Sequence, residues 1–218
     1  MTKSICFGIP TAWYTYSTWV EWLLQWLSSQ TTYEVTTKWA NSNTKCVAYS
    51  ALIDAAREAH SDYLVILETN HVVQMPLQDF LERIQHFNCV ISPPRYPGAG
   101  GQDVFRTLPM FFDCKTPETM PPKDQPFEIK TASTGVVALK DDVIEMLKPL
   151  FYFNLHDGLG GAARIVPIYC YDGDDMDEER VDLAYSLFNN IRRCGFGAWA
   201  DPGILTANLR LSGYESYR

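Results

Sequence analysis

Residues 62–67, Asp62-Tyr63-Leu64-Val65-Ile66-Leu67, are almost continuously apolar and stop abruptly in Glu68-Thr69-Asn70-His71. An unbroken apolar run this short is the mark of a strand buried on both faces. Strands of that kind sit in parallel sheets with helices packed above and below. The run therefore specifies a layered α/β protein before any other residue is read.

The flanking pattern agrees. Residues 5–9 form a short apolar strand closed by Pro10. Trp19, Trp22, Leu23 and Trp26 recur at helical spacing, with Ser17 or Thr18 as the cap. Residues 33–39 alternate and are rich in β-branched side chains, so they read as a strand. Residues 47–59 are alanine-rich and helical, and residues 76–87 form another helix with Pro76 in its first turn. Cys89-Val90-Ile91-Ser92 is the next strand. This β-α-β-α-β-α-β order specifies a doubly wound, mostly parallel, Rossmann-like sheet flanked by helices.

Residues 93–126 hold eight prolines and the run Gly98-Ala99-Gly100-Gly101, so they read as a long, mobile loop. Order resumes over 127–139, followed by a helix over 141–147, a strand over 165–171 and a helix over 178–194. In that last helix Val181, Ala184, Tyr185, Phe188 and Ile191 share one face, and Gly195 stands at the C-cap. Residues 196–200 are a last short strand. A chain of 218 residues suits one domain. Its parts are a first half (1–96), the loop (97–126) and a second half (127–218).

Charge and cysteine usage exclude several classes. The net charge is −8 with Lys and Arg scattered, which speaks against a general nucleic-acid footprint. The cysteines at 6, 46, 89, 114, 170 and 194 form no C-x-x-C pair, so zinc-ribbon and thioredoxin readings have no support. They read as small buried hydrophobes in a reducing compartment. With no signal peptide and no apolar stretch near 18 residues, the expectation is a protein without a membrane span. That places it in the cytoplasm, or in the host cytoplasm for a viral source.

Ligands of open α/β sheets bind outside the carboxyl ends of the strands. Two such ends stand out: Pro10-Thr11-Ala12, and Glu68-Thr69-Asn70-His71. Glu68 and Asn70 offer oxygens to a hard cation. Glu68 equally suits a helix cap or an Arg partner. His71 reads as a surface histidine beside the site. A third candidate is the acidic stretch before the final helix, Asp172, Asp174, Asp175, Asp177, Glu178 and Glu179. Glu179 and Asp182 lie three apart on one helical face, where a carboxylate can serve as a general base. A solvated acidic helix start, favoured by the helix dipole, fits them as well.

The order of these motifs resembles family 2 nucleotide-sugar glycosyltransferases of the GT-A fold, in the short form found in viruses and prokaryotes. Residues 4–11, Ser4-Ile5-Cys6-Phe7-Gly8-Ile9-Pro10-Thr11, resemble their opening strand, and residues 62–73 resemble their D-x-D strand, with Glu68 and Asn70 at the two Asp positions. Ser92-Pro93-Pro94-Arg95-Tyr96-Pro97 is similar to a family Y-P-x-R segment, and 131–139 to the strand beside the acceptor. Residues 179–202 resemble the family's closing acidic helix and its W-x-D-P end.

The resemblance implies transfer of a hexose from a nucleotide-diphosphate sugar to an acceptor hydroxyl, with inversion. The acceptor is a glycan, a protein or a modified base. It places Pro10, Thr11, Ala12, Glu68, Thr69 and Asn70 at the donor, and Thr134 and Gly135 on the acceptor side. Asp182 or Glu179 is the base. A divalent cation, Mn or Mg, falls to Glu68, Asn70 and Asn208. The sequence departs from the family in reading Glu-x-Asn for D-x-D, Asn208 near a late metal-ligand His, and Tyr49-Ser50 for an Arg-Asn pair. A nucleotide-sugar-binding protein with impaired catalysis, and a nucleotidyltransferase, are the alternatives.

Overall fold

The computed structural model describes residues 2–11, 15, 17–29, 32–42, 44–92, 95–97, 103–105, 107–109, 125–132, 134–155, 164–170 and 183–208. Its first elements are β1 (Ser4–Thr11), α1 (Ser17–Leu27), β2 (Glu34–Asn41), α2 (Lys45–Glu58) and β3 (Tyr63–Leu67). The short β4 (His71–Val73), α3 (Leu77–Ile84) and β5 (Cys89–Ile91) follow, then β6 (Arg95–Pro97), β7 (Asp103–Phe105) and β8 (Thr107–Pro109). The second half holds β9 (Phe127–Ala132), β10 (Val136–Lys140), α4 (Asp141–Met146), β11 (Phe151–Leu155), β12 (Arg164–Ile168), α5 (Leu183–Arg193), β13 (Trp199–Ala200) and β14 (Thr206–Asn208).

The central sheet has the order β2-β1-β3-β10-β5-β13-β9-β8. β1 is parallel to β2 and β3, and β13 is parallel to β5. β10 is antiparallel to both β3 and β5, so those two strands point the same way and the sheet is mostly parallel, as expected. The ordered run expected over 127–139 proves to be two strands. It divides near Thr134 and Gly135 into β9 and β10, which lie apart in the sheet with β5 and β13 between them. Apolar periodicity marks extended chain, but it does not say which neighbour a strand will pair with.

All five residues of β3 are buried. One face of the sheet packs on α2, α4 and α5 through residues such as Tyr49, Leu64, Ile66, Ile144 and Phe188. The other packs on α1 and α3 through Ile5, Phe7, Trp19, Val65 and Phe80. Trp19, Leu23 and Trp26 bury the stripe predicted for α1. Trp22 stacks on Trp26, with ring centroids 5.3 Å apart. Cys6, Cys46, Cys89 and Cys170 are buried among these layers. Burial pushes the Cys89 thiol up to about 12, which keeps it protonated and unreactive.

Arg57 ties α2 to its neighbours. It donates to the Ile144 and Leu147 carbonyls at 3.1 and 3.0 Å and to the Tyr169 hydroxyl at 2.6 Å. α2 begins at Lys45, two residues before the predicted start, and this proves decisive at the site. Pro76 stands just before α3 as its N-cap. Of the long segment 93–126, β6, β7 and β8 fall among the described residues, with the first two paired as a separate ribbon. α5 is described from Leu183, and the expected helical start at 178–182 lies outside the described residues.

α2 and α5 end in the same way. After α5, Gly195 has φ +90°, and the N–H groups of Gly195 and Phe196 donate to Arg192 and Ile191 carbonyls at 2.9 and 3.3 Å. After α2, His60 has φ +49°, and the N–H groups of His60 and Ser61 donate to Arg57 and Ala56 carbonyls, both at 3.0 Å. Both are Schellman caps, but only one has the glycine that makes the left-handed conformation free of Cβ strain. His60→Gly is therefore expected to raise stability by about 1 kcal/mol, and Gly195→Ala to lower it by a similar amount. Urea denaturation reads this as opposite shifts in midpoint at unchanged slope.

Candidate functional site

The site is built at the carboxyl end of β3. The last pairing of β1 with β3 is Gly8 with Ile66. Pro10 and Glu68 each follow two residues later, at the carboxyl ends of these neighbouring strands. The N–H of His71 donates to the Glu68 carbonyl at 3.0 Å, closing a tight turn over 68–71. The Glu68 N–H donates to the Gly135 carbonyl at 3.0 Å, which joins this turn to the corner leading into β10.

The Glu68 carboxylate is the focus. Its Oε1 accepts from Thr134 Oγ1 at 2.8 Å, from Tyr49 Oη at 3.1 Å and from Lys45 Nζ at 3.1 Å. The Tyr49 hydroxyl also lies 3.1 Å from the Thr134 carbonyl, so one proton is shared between two acceptors. Lys45 and Tyr49 are four apart on α2 and reach the carboxylate from one helical face. Glu68 is 13% exposed and Lys45 58% exposed. Burial alone raises the Glu68 pKa, but the Lys45 charge and the bonds from Thr134 and Lys45 outweigh it and hold the carboxyl below its usual range. Tyr49 is pushed well above its usual value by burial and by the Glu68 charge, so it remains a neutral donor.

His71 departs from the surface role expected of it and is 4% exposed. Its carbonyl accepts the Trp19 indole N–H at 2.6 Å. Its Nδ1 lies 2.7 Å from Asn70 Oδ1. A carbonyl oxygen only accepts, so Nδ1 carries the proton and Nε2 presents a lone pair. That Nε2 is buried and has no hydrogen-bond partner among the described residues. The ring fills the space beside Gly135, where an added Cβ would stand 2.4 Å from Nε2. Burial pushes the His71 pKa down, the Glu68 charge pulls it up and Lys45 pushes it down, and the net is a lowered value.

The structure thus brings together Glu68, Asn70, Thr134 and Gly135 from the sequence-derived candidates. β14 pairs with β4 so that Asn208 stands opposite His71, which carries the backbone of Asn208 to this corner. Thr69 is half-buried in the turn. Thr11 Oγ1 donates to the Ala40 carbonyl at 3.4 Å and, among the described residues, makes no bond to the Glu68 cluster. Ala12, Glu179 and Asp182 lie outside the described residues. Sequence reasoning missed Lys45, and it met Tyr49 only as a departure from a family pattern. Extending α2 by its first two residues would have placed both on one helical face.

Among the described residues the donor set for a divalent ion is sparse: no three His, Cys, Asp or Glu side chains converge. Glu68 Oε1 accepts from three donors and Asn70 Oδ1 faces His71 Nδ1, so an ion held through these two atoms would compete with them.

What the architecture defines is a glycosyltransferase-like α/β fold. The match to the crystal structure of GalNAc-T7 with UDP, GalNAc and Mn2+ has a TM-score of 0.55 at 14% identity, over 98% of this chain and 45% of that one. The match to A197 from STIV has a TM-score of 0.51 at 10% identity, over 96% of this chain and 95% of that one. No family model and no curated protein sequence matches the chain. Likeness at this level of identity establishes the fold alone.

The lowered pKa values set an acid limb of stability. The unfolded chain takes up each proton before the folded one does, so stability falls with pH below the ordinary value of His71 and again below that of Glu68. The Glu68 contribution is fully present above its unfolded value of 4.5 and is lost as pH falls through the lower folded value. Glu68→Gln is expected to flatten that last step in a series of melts from pH 7 to about 3. An unchanged acid limb in this variant would remove Glu68 from the account.

Proposed function

We propose that the chain transfers a hexose from a nucleotide-diphosphate sugar to an acceptor hydroxyl, with inversion at the anomeric carbon. The observation that carries this reading is Glu68, a carboxylate fixed by Thr134, Tyr49 and Lys45 at the carboxyl end of the most buried strand. That is the place where open α/β sheets hold their ligands. The fold is shared with GalNAc-T7, whose crystal structure contains UDP, GalNAc and Mn2+.

In this reading Pro10, Thr11 and Ala12 border the nucleotide, and Glu68, Thr69 and Asn70 border the diphosphate and sugar. Thr134 and Gly135 border the acceptor. The acceptor hydroxyl attacks the anomeric carbon, a new carbon–oxygen bond forms, and the bond to the diphosphate breaks. The departing proton goes to Asp182 or Glu179. A carboxylate base in this role accelerates transfer by roughly 10²–10⁴-fold. The acceptor is a glycan, a protein or a modified base. No step is routed through a metal. No helix among the described residues is long and apolar enough to cross a membrane.

A second reading, donor binding without transfer, is favoured by one observation: the Glu-x-Asn motif offers a single carboxylate, already engaged by Lys45. The two separate in one experiment. Nucleotide sugars are screened for binding by thermal shift and for release of nucleoside diphosphate, in the wild type and in Asp182→Asn and Glu179→Gln. The transferase reading expects one variant to keep donor binding while turnover falls by about 10²–10⁴-fold. Binding without turnover in the wild type supports the second reading. Absence of binding by every nucleotide sugar overturns both.

A further inference from the structure

A positive charge already stands where a donor diphosphate would meet Glu68. Lys45 is in the first turn of α2, and the burial of Cys46 and Tyr49 fixes the backbone beneath it. Only the flexible side chain is free to move. The ammonium has three donors. Among the described residues one is engaged, with Glu68 Oε1 at 3.1 Å, and the side chain is 58% exposed.

Glu68 is held independently. Thr134 and Tyr49 keep its Oε1 in place when the ammonium shifts. A divalent ion held through Glu68 Oε1 would compete with that ammonium, and one held through Asn70 Oδ1 would share it with His71 Nδ1, 2.7 Å away. A diphosphate asks for much less. It needs the ammonium only to turn one of its remaining N–H groups outward.

We propose that Lys45 supplies the positive charge that meets the donor's diphosphate, so that a nucleoside diphosphate binds at this site without a divalent ion. This rests on the donor-site reading above. The Lys45–Glu68 pair is neutral as it stands. An arriving diphosphate carries at least two negative charges and pulls the ammonium into a position bridging carboxylate and phosphate. Charge-assisted bonds of that kind are the stronger sort. Lys45 is then a binding residue, and Glu68 aims it.

The test is calorimetric titration of the full chain with UDP, GDP, CDP and ADP, in EDTA and in Mn2+, for the wild type, Lys45→Met and Lys45→Arg. The expected result is that at least one nucleoside diphosphate binds in EDTA. Its affinity falls about tenfold or more in Lys45→Met and is largely retained in Lys45→Arg, while the parent nucleoside binds all three proteins alike. Lys45→Met removes the charge that offsets the burial of Glu68, so it should melt below the wild type, and the titrations are made at a temperature where all three proteins are folded. Binding that requires Mn2+, or binding in EDTA that Lys45→Met leaves unchanged, overturns the role of Lys45 and leaves the donor-site reading standing. Failure of every nucleoside diphosphate in both media overturns the donor-site reading, and the role of Lys45 with it.

Discussion

Three donors from two separate stretches of chain converge on a single oxygen, Glu68 Oε1. A largely buried carboxylate is costly unless its hydrogen bonds are met. Here they are met only if α2, β3 and the corner before β10 keep their places. β3 fixes the carboxylate because all five of its residues are buried. Tyr49, itself fully buried, fixes α2 against the sheet. Thr134 stands where it does because β10 is inserted antiparallel beside β3. The corner is therefore a product of the whole sheet.

Part of this could be read from the sequence. The apolar run 62–67 gave β3 directly, and its abrupt end marked Glu68 and Asn70. The partners of Glu68 were hidden because they are distant in sequence. Lys45 and Tyr49 lie 23 and 19 residues away and Thr134 lies 66 residues away. No local periodicity encodes such pairings. His71 was misread for a related reason. Polar neighbours suggested a surface position, but its burial comes from Trp19 and from strand β14, both far along the chain. Order over 127–139 was visible, but its division into two separated strands was not, since alternation is blind to which strand lies alongside.

The fold and the chemistry rest on different footings. Architectural likeness at 10% and 14% identity reaches nearly the whole chain, yet it says nothing of which side chains line the crevice. Among the described residues, those at this corner are one carboxylate, an asparagine held by a histidine, and a lysine held by the carboxylate. The charge balance of the corner differs from that of a site with two free carboxylates. Any ligand it takes must suit a cation that is already covalently part of the protein.

Gly135 and His71 are coupled through the volume they share. The imidazole occupies the volume that any side chain at position 135 would need. The two positions therefore cannot drift independently. A lineage that acquires even an alanine at 135 must first, or simultaneously, accept a smaller residue at 71, and a lineage that loses the histidine leaves a void that position 135 is then free to fill. Among distant relatives of this chain, the two residues should change hands as a pair.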